Sequence, residues 1–249
     1  MLLLLNLNIF NKLSLLLIIL LASCATLKEQ NPYLLVYPNL EGDYRYGEVV
    51  LENENVILQK LIVGAGQWEG IHSHPGNQLY VHIRGGEWSG KLDGEFEYYG
   101  EIDQDGSVGW MDAIPESAGH NSGNTGDNDI ELIYVTLKKD TPLYPQNKKN
   151  TYSSINQSLE LLFENERLIA HKQKLEPDQW HNTHNLPGDQ LYIFIKGGQW
   201  AFKKKGELYN SQLYKAGSAG LMKKNTSGES FEYGNTGSLP IEVVWVTLK

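Results

Sequence analysis

Apolar residues in this chain fall into short runs rich in Val, Ile, Leu and aromatics, separated by Gly, Pro, Asn and Asp. Runs of that length and composition predict strands rather than helices. YLLVY (33–37), GEVVL (47–51) and VILQKLIVG (56–64) read as three early strands, and IELIYVTL (130–137) as a later one. Between them, GGEWSGKLDGEFEYYGEIDQDGSVGW (85–110) alternates aromatic with polar positions and is cut by Asp-Gly steps, the chemistry of hairpins. SLELLFENERLIAHKQKLE (158–176) has a mild helical character at its start, but IEVVWVTLK (241–249) at the chain end echoes IELIYVTLK of the first half. That echo favours strand in the second half too.

The echo extends further. GQWEGIHSHPGNQLYVHIRGG (66–86) returns as DQWHNTHNLPGDQLYIFIKGG (178–198), about 112 residues later. Self-similarity at that period predicts two copies of one domain. We therefore expect an N-terminal domain over 32–139, a linker over 140–150, where DTPLYPQNKKN carries two Pro and several polar residues, and a C-terminal domain over 151–249.

Aligned on Trp68 and Trp180, the copies share Trp, Tyr and Gly positions but differ at imidazoles: His74 meets Leu186, and His120 meets Phe231. His72 and Gln78 keep counterparts in His184 and Gln190. On a strand, residues two apart share a face, so His72 and His74 project together while Ser73 faces away. Pro75-Gly76-Asn77 has turn chemistry, and a strand starting at Gln78 would carry Gln78, Tyr80 and His82 on one face. His120, in GWMDAIPESAGHNSGNTG (109–126), adds a third imidazole. Two or three imidazoles and a side-chain oxygen suit one metal ion, whereas the remnant in the second copy does not. Trp68 with Trp180, Tyr80 with Tyr192 and Trp88 with Trp200 occur in both copies and read as packing. His82 faces Phe194 in the alignment; it is either a packed imidazole or a group that moves protons.

These motifs resemble the cupin superfamily, with its G-x5-H-x-H-x3-E-x6-G and G-x5-P-x-G-x2-H-x3-N signatures. Gly66, His72, His74 and Gly85 match the first, with Gln78 where the family has Glu; Gly109, Pro115, His120 and Asn124 match the second, with Ser117 where the family often has Gly. The second copy keeps Gly197, Gly220, Gly228 and Asn235. The resemblance implies an all-β chain of two tandem cupin-type antiparallel β-barrels, the double-stranded β-helix or jelly roll. It further implies one divalent transition metal (Fe, Mn, Zn or Ni) on His72, His74, Gln78 and His120 of the first barrel only. Two His, a Gln and a third His also resemble the ligand set of small cupins that open the rings of unsaturated uronates.

Three neutral imidazoles and a carboxamide would leave the ion its full charge, so it would act as a Lewis acid on carboxylate or enolate substrates. The expectation is an isomerase or lyase acting on a small oxygen-rich molecule such as a sugar acid, with Tyr80 and His82 as acid–base candidates. An Fe(II) dioxygenase is the second expectation, and a non-catalytic carbohydrate-binding or interaction lipoprotein the third.

Composition narrows the setting. The chain has 249 residues, a net charge of −9, 6 Trp, 14 Tyr and 25 Gly. Its acidity opposes binding to nucleic-acid backbones. Residues 1–23, with Lys12, the apolar run LSLLLIIL and then Leu21-Ala22-Ser23 before Cys24, resemble a bacterial lipoprotein signal. Cys24 is the sole cysteine, which excludes an internal disulfide and offers a thiol for a lipid. Residues 24–31 would be a tether, and Ala25 rather than Asp points to the outer membrane. A homodimer is a further expectation, from the resemblance.

Overall fold

Leu79, Val81 and Ile83 turn one way from their strand while Gln78, Tyr80 and His82 turn the other, and both sides are covered by protein. This double burial governs the architecture. The structure, a computed structural model, describes residues 31–40, 47–144, 159–183, 188–204, 207–224 and 231–249. The signal segment, Cys24, most of the tether, His184, Leu186 and linker positions 145–150 lie outside the described residues.

The first half contains β1 (Glu48–Glu52), β2 (Val56–Val63), β3 (His74–Arg84), β4 (Gly86–Leu92), β5 (Glu95–Asp103), β6 (Val108–Ile114), β7 (Asn121–Asn124) and β8 (Ile130–Leu137). The second contains β9 (Leu159–Glu164), β10 (Leu168–Leu175), β11 (Trp180–Thr183), β12 (Gln190–Lys196), β13 (Gly198–Lys204), β14 (Glu207–Tyr214), β15 (Ala219–Met222), β16 (Phe231–Asn235) and β17 (Ile241–Leu248). The first half forms sheets ordered β1-β2-β8-β3-β6 and β5-β4-β7; the second forms β9-β10-β17-β12-β15 and β14-β13-β16-β11. Strand for strand the orders are the same, apart from the added edge strand β11, whose place in the first half is taken by the isolated bridge Trp68–Gly123. The chain is thus all-β, with two tandem antiparallel jelly-roll barrels.

The repeat survives in detail where geometry demands it. Asn124 donates from Nδ2 to the carbonyls of Val63 and Asn128 and accepts from Gly126 N–H; Asn235 does the same with Leu175, Leu239 and Gly237. Gly109 lets the Tyr80 hydroxyl approach, since a Cβ there would lie 2.0 Å from the Tyr80 oxygen, and Gly220 does so for Tyr192 at 2.2 Å.

Each barrel has its own interior. The outer faces of the two five-stranded sheets share a third core, in which Leu79, Val81, Ile133 and Val135 join Leu191, Ile193, Val244 and Val246. Trp110 stacks on Phe163 across this boundary, with centroids 5.7 Å apart. Burial on both faces explains why IELIYVTL and IEVVWVTL read as nearly continuous apolar runs rather than alternating ones. Residues 33–249 form one compact unit.

Two local expectations are corrected. YLLVY is not a strand: the backbone N–H and C=O of Leu35 bond the Gln59 carboxamide at 2.9 and 2.8 Å, so a side chain replaces the ladder while Leu35 and Tyr37 are buried. Nor is Pro75-Gly76-Asn77 a turn between strands. β3 begins at His74 and absorbs Gly76 (φ 79) and Asn77 (φ 54) as an irregularity between Pro75 and Gln78, because β6 continues opposite on both sides of it.

Candidate metal centre

His72 precedes β3 in a loop held at both ends. Gly70 takes a φ of 86, and the His72 N–H donates to the carbonyl of His120 at 3.1 Å. His74 opens β3, and His120 follows a single 3-10 turn (Glu116–Ala118) that Gly119 closes in the left-handed region. These three segments bring the imidazoles together, with ring centroids 4.8 to 5.0 Å apart and donor atoms all within 4.8 Å of one another. All three side chains are buried, and Ser73 is exposed. Among the described residues this is the one group of three or more His, Cys, Asp or Glu able to hold a metal.

Their hydrogen bonds fix the tautomers. His72 Nδ1 donates to the Gly70 carbonyl at 2.8 Å, and His74 Nδ1 donates to Gln78 Oε1 at 2.9 Å. Each Nε2 therefore presents a lone pair, and the two face each other at 3.0 Å. Burial drives the His72 pKa down to about 4 and that of His74 to about 3, with the neighbouring imidazoles adding to the effect, and burial also lowers His120. Neutral imidazoles are the metal-binding form.

Glu69 is the residue that sequence reasoning missed. It is 1% exposed, its Oε2 lies 3.4 Å from His72 Nε2, and neither carboxylate oxygen has a hydrogen-bond donor. Burial raises its pKa to about 8. His120 Nδ1 is likewise buried without a partner. Facing lone pairs, an unpartnered nitrogen and a donor-free carboxylate form a cluster deficient in positive charge. Such a set fits a divalent cation, and His72, His74 and His120 would hold it. The signal for Glu69 was present in the repeat, since its counterpart is His181.

Gln78 is brought beside the cluster but is engaged elsewhere, its Oε1 on His74 Nδ1 and its Nε2 donating to Thr136 Oγ1 at 2.8 Å. Tyr80 and His82 line the same face of β3. Tyr80 is half-buried, and burial, with Asp103 and Glu101 nearby, raises its pKa. His82 is fully used: Trp88 Nε1 donates to its Nε2 at 2.9 Å, so its Nδ1 carries the proton and donates to Ser107 Oγ at 3.0 Å. In the second barrel Phe231 opens β16 at the His120 position, and His181 stacks on Tyr233.

No protein-family model and no curated protein sequence matches the chain. Its structure is similar to that of AerE from Microcystis aeruginosa, at 11% identity and a TM-score of 0.55, covering 88% of this chain and 100% of that one. It is similar to oxalate decarboxylase from Lactobacillus farciminis, solved as a formate complex, at 12% identity and 0.51 over 78% of this chain and 77% of that one. Salicylate 1,2-dioxygenase from Pseudaminobacter salicylatoxidans is similar at 11% identity and 0.50 over 83% and 76%. At these identities the likeness is one of fold alone.

Proposed function

We propose that the chain is a metal-dependent cupin enzyme whose first barrel holds one divalent transition metal and carries out isomerase or lyase chemistry on a small oxygen-rich substrate, a sugar acid being the expected class. The observation that carries this reading is the buried cluster of three imidazoles, two of them locked with Nε2 lone pairs face to face. When bound, the ion supplies Lewis-acid polarisation of a carbonyl or carboxylate oxygen. The chain's own part is orientation and exclusion of water. Gly70 and Gln78 fix the rings of His72 and His74, while Tyr37, Tyr134 and Trp88 wall the interior with apolar surface. Of the two acid–base candidates, His82 has both nitrogens occupied, which leaves Tyr80 as the group to move a proton.

Oxygen activation at Fe(II) is the second reading. It is favoured by the buried Glu69 carboxylate, which supplies beside the imidazoles the negative oxygen that Gln78 lacks. One experiment separates the two: metal content of the purified protein, followed by turnover of unsaturated uronates with and without oxygen. Oxygen-independent loss of the conjugated double bond is expected. Oxygen consumption coupled to turnover would establish the second reading, and protein without metal or turnover would overturn both.

The same proposal anchors the chain to the bacterial envelope through a lipid on Cys24, supported by the sequence pattern before it. Replacing Cys24 with Ser is expected to release the protein from the membrane fraction. Membrane retention with a normally processed N-terminus would refute the anchor.

A further inference from the structure

The copy of the repeat that lacks the imidazole cluster helps to sort ligands from scaffold, because a side-chain contact that recurs there needs no metal to account for it, whereas a shared residue type alone, as at His72 and His184, decides nothing. A contact of Gln78 recurs. Gln190 donates to Thr247 Oγ1 at 2.9 Å, just as Gln78 donates to Thr136, and both pairs sit opposite each other across equivalent central strands, β3 with β8 and β12 with β17. The glutamine is thus accounted for by a strand-to-strand bond found in both barrels. Its remaining oxygen in the first barrel is taken by His74 Nδ1, on the side of the ring away from the facing Nε2 atoms.

Glu69 behaves in the opposite way. It is replaced by His181 in the second barrel, together with the replacement of His74 by Leu186 and of His120 by Phe231. The backbone around Glu69 is fixed on both sides, its N–H donating to the Ser122 carbonyl at 2.9 Å and its carbonyl accepting from Asn39 N–H at 3.0 Å. The side chain therefore has a defined place, with Oε2 3.4 Å from His72 Nε2, which is itself 3.0 Å from His74 Nε2. Donor atoms about 2.1 Å from a shared ion, at angles between a right angle and the tetrahedral one, lie about 3.0 to 3.4 Å apart. A donor-free buried carboxylate is costly unless a cation faces it.

Resting on the metal reading above, we propose that Glu69, not Gln78, supplies the oxygen ligand of the centre, and that Gln78 is a positioning residue that holds His74 in its metal-binding tautomer. Residues that orient a ligating histidine in this way tune affinity without touching the ion. The fourth donor would then be an anion that enters from the loop before β3 rather than from the strand itself.

The test uses Co(II) as the probe, bound to the full-length protein and to Glu69→Gln, Glu69→Asp and Gln78→Ala, with affinity read by chelator competition and coordination by the visible d–d spectrum. Glu69→Gln is expected to weaken Co(II) by more than about 100-fold and to change the spectrum. Glu69→Asp should recover part of the affinity. Gln78→Ala should weaken binding by about 10 to 100-fold, as outer-shell changes do, and leave the spectrum as in the parent. Thermal melting adds a readout independent of the loaded state: metal-free Glu69→Gln should melt no lower than the parent, since it replaces a buried carboxyl that has no hydrogen-bond partner, while its metal-induced rise in Tm shrinks. A Co(II) spectrum unchanged in Glu69→Gln, or altered in Gln78→Ala, would overturn the assignment while leaving the metal centre standing. A parent protein that binds no Co(II), Fe(II), Mn(II), Zn(II) or Ni(II) would instead overturn the centre itself.

Discussion

The two barrels share strand order, turn asparagines and the Tyr–Gly approach, yet their interiors have opposite chemistry. The first surrounds Glu69, His72, His74, His82 and His120 with tyrosines. In the second, Phe194, Trp200, Tyr214, Tyr233 and Trp245 pack ring against ring with centroids 4.6 to 5.9 Å apart. One pair shows the exchange clearly. Trp88 donates its indole N–H to His82, whereas Trp200 faces Phe194 edge-on and its Nε1 is buried without an acceptor. At this pair the second barrel has ring packing and an unpartnered indole N–H where the first has a hydrogen bond. The lesson is that contacts shared by both barrels belong to the fold, whereas the positions of His74 and His120, apolar in the second copy, mark the chemistry.

The sharpest way to break the comparison is to remove the imidazoles. His72→Ala, His74→Ala or His120→Ala should reduce bound metal from about one ion per chain to none, a larger loss than the 10 to 100-fold typical of outer-shell changes, while His181→Ala leaves it intact. Elemental analysis of each purified variant checks this. Two ions per chain in the parent, or retention in all three variants, would mean that the barrels do not differ as described.

Next in size is the packing of the second interior. Trp200 is 0% exposed, and Trp200→Ala should cost about 3–5 kcal/mol of stability without altering metal content in the first barrel. Denaturant unfolding together with metal analysis tests both halves of the statement. A smaller effect is expected from swapping the exchanged pair. His82→Phe leaves the Trp88 indole N–H without its acceptor and should cost about 1–3 kcal/mol, whereas Phe194→His offers Trp200 an acceptor and should offset part of its own loss of packing. A destabilised His82→Phe with normal turnover would also exclude His82 from proton transfer.

The smallest effect is a pH dependence of the metal-free protein. His72 and His74, lowered to about 4 and about 3, bind fewer protons folded than unfolded, and His82, His120, His171 and His181 are lowered as well, all first through burial. Their contribution is therefore present above the ordinary histidine range and is lost as pH falls below it. Glu69, raised from 4.5 to about 8 by burial, binds its proton more firmly when folded, so its contribution is present at low pH and is lost as pH rises towards 8. Metal-free stability should rise up to about pH 6.5 and decline from there to pH 8. Glu69→Gln should remove the decline and keep the rise. Melting temperature against pH, with chelator present, reads both limbs; a decline that persists in Glu69→Gln would assign it to another group.

Much of this was legible in the residues. The short apolar runs, the Asp93-Gly94 turn with both φ values positive, and the repeat itself foretold β-rich barrels in tandem, because strand period and turn chemistry are local properties. The spacing of His72, His74 and His120 within two motifs foretold their meeting. YLLVY was misread because the partner of Leu35 is the side chain of Gln59, and nothing in a strand-like run reveals that its hydrogen bonds will be met by a carboxamide 24 positions away.

What the sequence by itself determined is therefore the all-β class, the two copies and the imidazoles that only one of them keeps. Tertiary structure alone decided that the two five-stranded sheets share a core, that His82 is spent on Trp88 and Ser107, and that Glu69 sits donor-free against His72 while Gln78 is engaged by His74 Nδ1 and Thr136. The physical reason is the same in each case. Periodicity tells which face of a strand a residue takes, but burial without a partner is a property of every neighbour at once, and it exists only when the strands, loops and turns have closed around the side chain.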